Sequence, residues 1–279
     1  MGNGEYATTL HGILTKHPDI EAVTVSVMGE RSSQLHEHDI DFSYAPGRAE
    51  EMYSFLHGHG LKTIVFAGDF RYARQSAAFR ELLLDLARDA IERTGQAVIP
   101  ASASLNLLLK RFTEGILSQG FEPELASKFD TSLMPRIGEL HTPDRLRGKD
   151  IAGIAKALAA KSRKKLKDQP IKTARQVMAF DDSVLLPIIT TGTDDMFQKL
   201  EKEEKAPGTL RVITKLCPPD YDYRIDPPVF SAQKISRAKS VGVDLIVLEG
   251  IRGILLDRED AIETARELKV GLYGLPPQN

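Results

Sequence analysis

The chain has 279 residues, of which 42% are hydrophobic and 27% are charged, an ordinary balance for a globular protein long enough for two domains. Its net charge of -2 and its low aromatic content, with no Trp, argue against a nucleic-acid partner. The single cysteine, Cys217, excludes an internal disulfide and is typical of the cytoplasm, and no apolar run approaches the roughly 20 residues of a membrane span.

The first half of the sequence alternates between helical and strand patterns. The helical patterns cover 6–17, 47–59, 76–95 and 105–120. The strand patterns cover 21–27, which we expect to be buried, 39–45 and 61–68. This alternation predicts a parallel sheet with helices on its faces. Gly2 and Gly4 open directly into the first helix, so they form either a phosphate-cradling loop of a chain that begins one strand late or an ordinary flexible terminus.

The second half follows a segment, residues 122–150, that lacks a sustained period. We place a domain boundary near residue 140, which divides the chain into 1–140 and 141–279. Further helices are predicted over 151–167, 193–203, 231–240 and 260–268. Strand-like segments are two strands within 175–192, then 209–215, 243–250, 253–259 and 269–275. The sequence therefore predicts an α/β protein of two domains.

A proline-rich loop, KLCPPDYDYRIDPPVF from Lys215 to Phe230, carries the most distinctive charges. Asp222, Arg224 and Asp226 are spaced two residues apart, so an extended backbone would point all three to one face. Carboxylates hold divalent cations and an Arg fork clamps phosphate oxygens, a combination that suits phosphoryl transfer. The alternative is a surface cluster of salt bridges.

Other candidate residues lie where predicted strands end. Thr193 or Asp194, after Gly192, could cap a helix whose exposed N–H groups favour an anion. Glu249 ends a strand at the edge where open α/β sheets have their crevices.

Two charged patterns have competing interpretations. The histidines of HEHD (36–39) and HGH (57–59) suggest zinc, but such pairs are also common on exposed loops. The basic helix over 151–167 is either a solvated face or a surface for anionic lipid headgroups.

The second half resembles the LpxI family, the UDP-2,3-diacylglucosamine pyrophosphatases of lipid A biosynthesis, most clearly over residues 176–275. KLCPPDYDYRID resembles the family signature Lys-x-x-x-Pro-x-Gln-Asp-x-Arg-x-Asp, and TGTDDM resembles its Glu-Gly-Thr-Asp-x-Met. GVDLIVLEGIRGILLDRE is similar to the segment that closes the domain, and IVFAGDFR (64–71) matches in the first half.

The resemblance implies a Rossmann-like N-terminal domain, with its first strand missing here, and a C-terminal α/β domain. It implies hydrolysis of a nucleotide-sugar diphosphate to UMP and a lipid sugar phosphate, with Mg²⁺ as the cofactor and Mn²⁺ as the alternative. The essential aspartate falls on Asp226, with Asp222 and Arg224 beside it, and the two aspartates are the expected metal ligands. The expected substrate-binding residues are Lys215, Gly192, Thr193, Asp194, Glu249, Gly2 and Gly4.

The sequence also departs from the family. Family carboxylates are replaced at Ile188, Thr191 and Leu105-Asn106, and the signature Gln is Tyr221. The family's Asp-Ile-Gly-Gln before the first strand of the second domain is KTAR here, Lys172–Arg175. The alternative to the enzyme is therefore a divergent paralogue that binds a nucleotide sugar without cleaving it; a Rossmann dinucleotide-binding protein is a third reading. The expected partner is a nucleotide-linked glycolipid, the expected location is the cytoplasm, and a peripheral contact with the inner membrane and a homodimer stay open.

Overall fold

A computed structural model of the chain describes residues 3–27, 35–45, 47–67, 81, 84–85, 92, 105–168, 177–181, 184–186, 193–217 and 222–277. The chain forms two compact units, Met1–Phe129 with Arg224–Asp226, and Asp130–Tyr223 with Pro227–Asn279. Helices and parallel strand pairs occur in both units, which confirms the predicted α/β class. The boundary near residue 140 and the Rossmann-like character of the first domain stay predictions.

The described helices of the first unit are α1 (Asn3–Lys16), α2 (Ala49–Gly58) and α3 (Leu105–Ser118). Spacings of three and four residues place apolar side chains on one face of a helix, and the buried residues follow this rule. They are Tyr6 and Leu10 on α1, Met52, Tyr53 and Leu56 on α2, and Leu109, Phe112 and Ile116 on α3. Three predicted helices are thus confirmed; the fourth, over 76–95, falls almost wholly outside the described residues.

The strands of the first unit form two short parallel pairs. In one, β1 (Val25–Val27) pairs with β2 (Phe42–Tyr44), and in the other β3 (Thr63–Val65) pairs with β4 (Glu122–Glu124). The prediction of a buried strand over 21–27 was wrong in extent and in burial, since only its last three residues are a strand and residues 22–26 are half-buried. β4 was missed because three residues centred on Pro123 carry no recognisable strand pattern.

The second unit is built on a six-stranded mixed sheet of order β5-β12-β10-β8-β6-β7. Its strands are β5 (Gly138–His141), β6 (Val177–Asp181), β7 (Val184–Leu186), β8 (Arg211–Lys215), β10 (Leu245–Glu249) and β12 (Gly271–Leu275). The central strands β8, β10 and β12 run parallel, while β5 and β6 are antiparallel to their neighbours. A separate parallel pair joins β9 (Val229–Phe230) to β11 (Ile254–Leu255). The two strands predicted around Asp181 are confirmed as the β6–β7 hairpin.

Helices cover both faces of this sheet. One face packs against α4 (Ile151–Asp168), which contributes Ile151, Ala155, Leu158 and Ala159 to the core there. The other face packs against α5 (Thr193–Leu200), α6 (Ala232–Ser240) and α7 (Arg258–Glu267). Because the central strands are buried on both faces, they read as nearly continuous hydrophobic runs.

The amino end of β8 is fixed by a buried guanidinium. Arg211 is almost fully buried and donates to the carbonyl oxygens of Val241 at 3.0 Å, Glu203 at 3.2 Å and Leu200 at 3.5 Å. These carbonyls lie at or just beyond the carboxyl ends of α5 and α6, where backbone acceptors lack helical partners and a cation is favourable.

Asp244 completes this structural cluster just before β10. Its buried carboxylate accepts the backbone N–H of Arg211 at 2.8 Å and forms short ion pairs with Arg145 and Lys205. The charged groups at the amino edge of the central strands are therefore occupied by contacts within the chain.

Candidate functional site

The opposite, carboxyl edge of the central strands brings predicted site residues to neighbouring positions on the sheet. Lys215 ends β8 and is paired in register with Leu248, one residue before Glu249 ends β10. Paired residues of a parallel sheet share a face and successive residues alternate. Leu248 packs in the core under α5, α6 and α7, so Lys215 lies on that face and Glu249 on the face toward α4.

Lys215 and Thr193 are in direct contact. The Lys215 ammonium donates to Thr193 Oγ1 at 3.1 Å and to the carbonyl oxygen of Val229 at 2.6 Å, and it lies 5.8 Å from the centre of the Phe230 ring. Thr193 is fully buried at the first residue of α5. The Lys215 ammonium therefore lies at the amino end of α5. The backbone N–H groups at that end attract an anion, as the ammonium does.

The rest of the predicted helix start is partly described. Asp194 is exposed in the first turn of α5, where a negative charge stabilises the helix. Gly192 lies outside the described residues. A role of either residue in substrate binding stays a prediction.

Glu249 lies in a buried cluster of charged groups. Its carboxylate is 1% exposed, accepts the backbone N–H of Cys217 at 2.7 Å, and lies 3.7 Å from Arg163 Nη2 and 3.6 Å from Arg252 Nη1. Burial raises the pKa of Glu249, and the Cys217 N–H and the two arginines, which lower it, do not cancel that effect. The carboxylate therefore faces protein groups, and a contact with substrate stays a prediction.

Sequence reasoning missed both arginines of this cluster. Arg163 was grouped with the exposed lysines of α4, although it is the one arginine of that stretch and follows the buried Ser162. Only the first of these facts could be read from the sequence, where arginine is the residue preferred over lysine for buried ion pairs. Arg252 had no signal beyond its nearness in sequence to Glu249.

The proline-rich loop departs from the extended backbone that the sequence argument assumed. Tyr223–Ile225 form a turn, so alternation along a strand does not place Asp222, Arg224 and Asp226 on one face. Ile225 is fully buried and the three charged residues are half-buried.

Asp226 and Arg224 belong to the first unit, in which Asp226 interacts electrostatically with Tyr6 of α1. Burial and the negative charge of Asp226 raise the pKa of Tyr6, whose buried hydroxyl has no hydrogen-bond partner in the described structure. Gly4 lies in the first turn of α1, and Gly2 is outside the described residues. Phosphate binding by these glycines stays a prediction.

Within the described ranges, no group of three or more His, Cys, Asp or Glu side chains is placed to hold a metal ion, the histidines of 36–39 and 57–59 included. Mg²⁺ is commonly bound by one or two carboxylates together with waters and substrate phosphates. Carboxylates such as Asp222 and Asp226 are ligands of the type that such a site uses, and their role in binding Mg²⁺ stays a prediction.

The basic helix predicted over 151–167 is confirmed as α4, with Lys156, Lys161 and Lys164 exposed. No helix in the described part of the chain is long and apolar enough to cross a bilayer.

The fold and the polar residues at the carboxyl edge define an α/β protein of the class that holds ligands beyond the carboxyl ends of its parallel strands. Residues 147–273 match the LpxI C-terminal domain model. The chain is 25% identical over 246 residues, 83% of its length and 81% of the relative's, to the UDP-2,3-diacylglucosamine pyrophosphatase LpxI of Caulobacter vibrioides. Residues 147–273 therefore carry an LpxI C-terminal domain, and the chain as a whole is similar to LpxI.

Proposed function

We propose that the chain hydrolyses the diphosphate of UDP-2,3-diacylglucosamine to UMP and 2,3-diacylglucosamine 1-phosphate, a step of lipid A biosynthesis. The observation that carries the proposal is the similarity, along 83% of the chain, to a relative named for this substrate. The charged positions of the family signature are kept at Lys215, Asp222, Arg224 and Asp226.

Each charged residue of the signature has a role in the proposed hydrolysis. Water attacks one phosphorus of the diphosphate, the bridging P–O bond breaks, and its oxygen leaves with the other phosphate. Asp226 orients the water and accepts its proton, or it binds the metal instead. Arg224 and Lys215 stabilise the negative charge that develops on the phosphoryl oxygens. Lys215 suits this role because Thr193 and the Val229 carbonyl hold its ammonium in one position.

A Mg²⁺ ion, with Mn²⁺ as the alternative, would be held by Asp226 and Asp222 and would neutralise charge on the diphosphate. The exposed lysines of α4 would meet anionic headgroups of the inner membrane from the cytoplasmic side. The oligomeric state that we propose for the chain is a homodimer.

A second candidate function is binding of a nucleotide sugar without cleavage. The replacements at Ile188, Thr191 and Leu105 favour it, because the number of carboxylates sets the affinity for a hard cation.

The test is release of UMP from UDP-2,3-diacylglucosamine by the purified full chain, with Mg²⁺ and with EDTA. We expect metal-dependent release that Asp226→Ala lowers at least about 100-fold, as loss of a catalytic group commonly does, without changing the circular dichroism spectrum. The matched control is Asp144→Ala, which removes an exposed aspartate whose only described ion pair, to Arg147, is a surface one.

The outcomes of this test decide the role of Asp226, the metal requirement and the choice between hydrolysis and binding. Full activity of Asp226→Ala would remove that residue from the site. Release that persists in EDTA would refute the metal requirement. No release, together with calorimetric binding of the UDP-sugar, would select the binding paralogue.

A further inference from the structure

The Glu249 cluster holds two guanidinium groups that the proposed chemistry does not use. Arg163 reaches Glu249 from α4 and Arg252 reaches it from the turn after β10, so both lie at the carboxyl edge of the central strands. The Arg163 side chain is 12% exposed and that of Arg252 is 24% exposed. Each is therefore partly desolvated yet still accessible to a small ligand.

The backbone before Arg252 is strained. Ile251 has a φ of +69°, and the N–H of Arg252 donates to the carbonyl oxygen of Gly250 at 2.8 Å, which together describe a γ-turn around a β-branched residue. Gly253 follows where a Cβ would lie 2.6 Å from the Glu249 carbonyl oxygen. Strain of this kind persists only where the surroundings enforce it, and here it turns Arg252 back toward Glu249.

Further contacts orient the two arginines. The Arg252 guanidinium lies over the Tyr223 ring, 5.2 Å from its centre, a contact that fixes the plane of the group. The Arg163 Nη2 atom is buried and makes no hydrogen bond to any described residue, since the Glu249 oxygen at 3.7 Å is too distant for one. A buried donor left in this way costs free energy that an acceptor from a ligand would recover.

Two cations and one acid make up the described part of this cluster. Arg163 and Arg252 both lie beside the Glu249 carboxylate, at the edge of the sheet where α/β proteins bind anions. A purely structural ion pair would need one arginine, and it would not leave the buried Nη2 donor of Arg163 without a hydrogen bond to any described residue.

We propose that Arg163 and Arg252, held in place by Glu249, form a phosphate-binding subsite at the carboxyl edge of β10. The ligand chemistry is a phosphate monoester or a diphosphate, whose oxygens match the planar fork of a guanidinium. The source is a phosphate of the nucleotide sugar or free inorganic phosphate; the first assignment rests on the proposed function. Arg163 and Arg252 are the binding residues, and Glu249 is a positioning residue.

The experiment is a calorimetric titration of pyrophosphate, UMP and inorganic phosphate into the full chain without metal. We expect Arg163→Gln and Arg252→Gln each to weaken pyrophosphate binding roughly 10- to 100-fold, as loss of a charge-assisted pair does. The matched control is Arg147→Gln, which removes a guanidinium that is 77% exposed and should change the affinity less than about twofold.

Two lysine variants control for the possibility that the glutamine variants fail to fold. Arg163→Lys and Arg252→Lys keep the charge beside Glu249 but lose the fork, so they should fold and still bind pyrophosphate several-fold more weakly. Binding of UMP that is lost along with pyrophosphate binding identifies the nucleotide phosphate as the source, whereas loss confined to inorganic phosphate and pyrophosphate identifies a free anion.

This test is separable from that of the hydrolase. Arginine-dependent pyrophosphate binding in a chain that releases no UMP keeps the subsite and refutes the hydrolase. Unchanged binding in all four arginine variants, or no binding by the wild type at millimolar pyrophosphate, refutes the subsite whatever the hydrolysis assay gives.

Discussion

Replacing Glu249 by Gln tests the electrostatics of the site most directly. A side chain that lies near two arginines would ordinarily be expected to stabilise the fold through its charge. The raised pKa of Glu249 predicts the reverse, because burial disfavours the carboxylate more than the arginines and the Cys217 N–H favour it. Gln keeps the shape and an acceptor oxygen for Cys217, and it stays neutral at every pH.

The sign and size of the effect follow from proton linkage. An acid whose pKa is higher in the folded state binds more protons when folded, so its contribution to stability is greatest below its ordinary pKa of 4.5 and falls as the pH rises to the folded pKa. Near about pH 4 the wild type and Glu249→Gln should be equally stable. Above that, the variant should gain by at most about 1.4 kcal/mol per pH unit until the folded pKa is passed.

The assay is urea unfolding of both proteins across that pH range, followed by circular dichroism. The quantity of interest is the difference in free energy of unfolding, because all other titrating groups are common to both chains. Glu267→Gln, at an exposed position of α7, is the control for replacing a carboxylate by an amide away from the cluster. A difference that is constant with pH would show that the arginines and the Cys217 N–H balance burial, and a variant less stable than the wild type at neutral pH would show that they outweigh it. Either result would refute the reasoning.

Two further substitutions test the scaffold around the site. Asp244→Ala leaves the cations of Arg145 and Lys205 and the Arg211 N–H without their buried partner, so we expect a loss of about 3–5 kcal/mol in the free energy of unfolding by urea; a loss under about 1 kcal/mol would contradict it. Ile251→Gly removes the cost of a positive φ, about 1–2 kcal/mol for an L-residue, against a smaller loss from a side chain that is 45% exposed. The variant should therefore melt at a higher temperature than the wild type, and a lower melting temperature would argue against strain in this turn.

Sequence patterns predicted the elements whose stability is local or whose burial is two-sided. The amphipathic spacing of α4 and the apolar runs of β8 and β10 were sufficient to place them. β5 was missed because it is an edge strand of four residues that pairs antiparallel with β12, across a register shift. Nothing in its own sequence encodes that pairing, which depends on a partner more than a hundred residues away.

The contacts of the candidate site likewise fall into those that the sequence could predict and those that depend on the tertiary fold. The contact between Lys215 and Thr193 follows from two motifs that were both recognised in the sequence, each at the end of a predicted element. The Glu249 cluster was only half predicted, because a single acid at a strand end does not reveal which cations the tertiary fold brings to it. Arg163 comes from a helix on the covered face of the sheet, and its direction depends on how α4 packs.

Several residues that match the LpxI family also support the fold, which limits what the match says about activity. Thr193 and the Val229 carbonyl hold the Lys215 cation, and Glu249 accepts a buried backbone N–H that would otherwise be unsatisfied. A paralogue that had lost catalysis would keep these residues for stability alone. Asp226 has a different place in the proposal, because the hydrolysis assigns the attacking water or the metal to its carboxylate. Asp226→Ala is therefore the substitution that separates enzyme from binder.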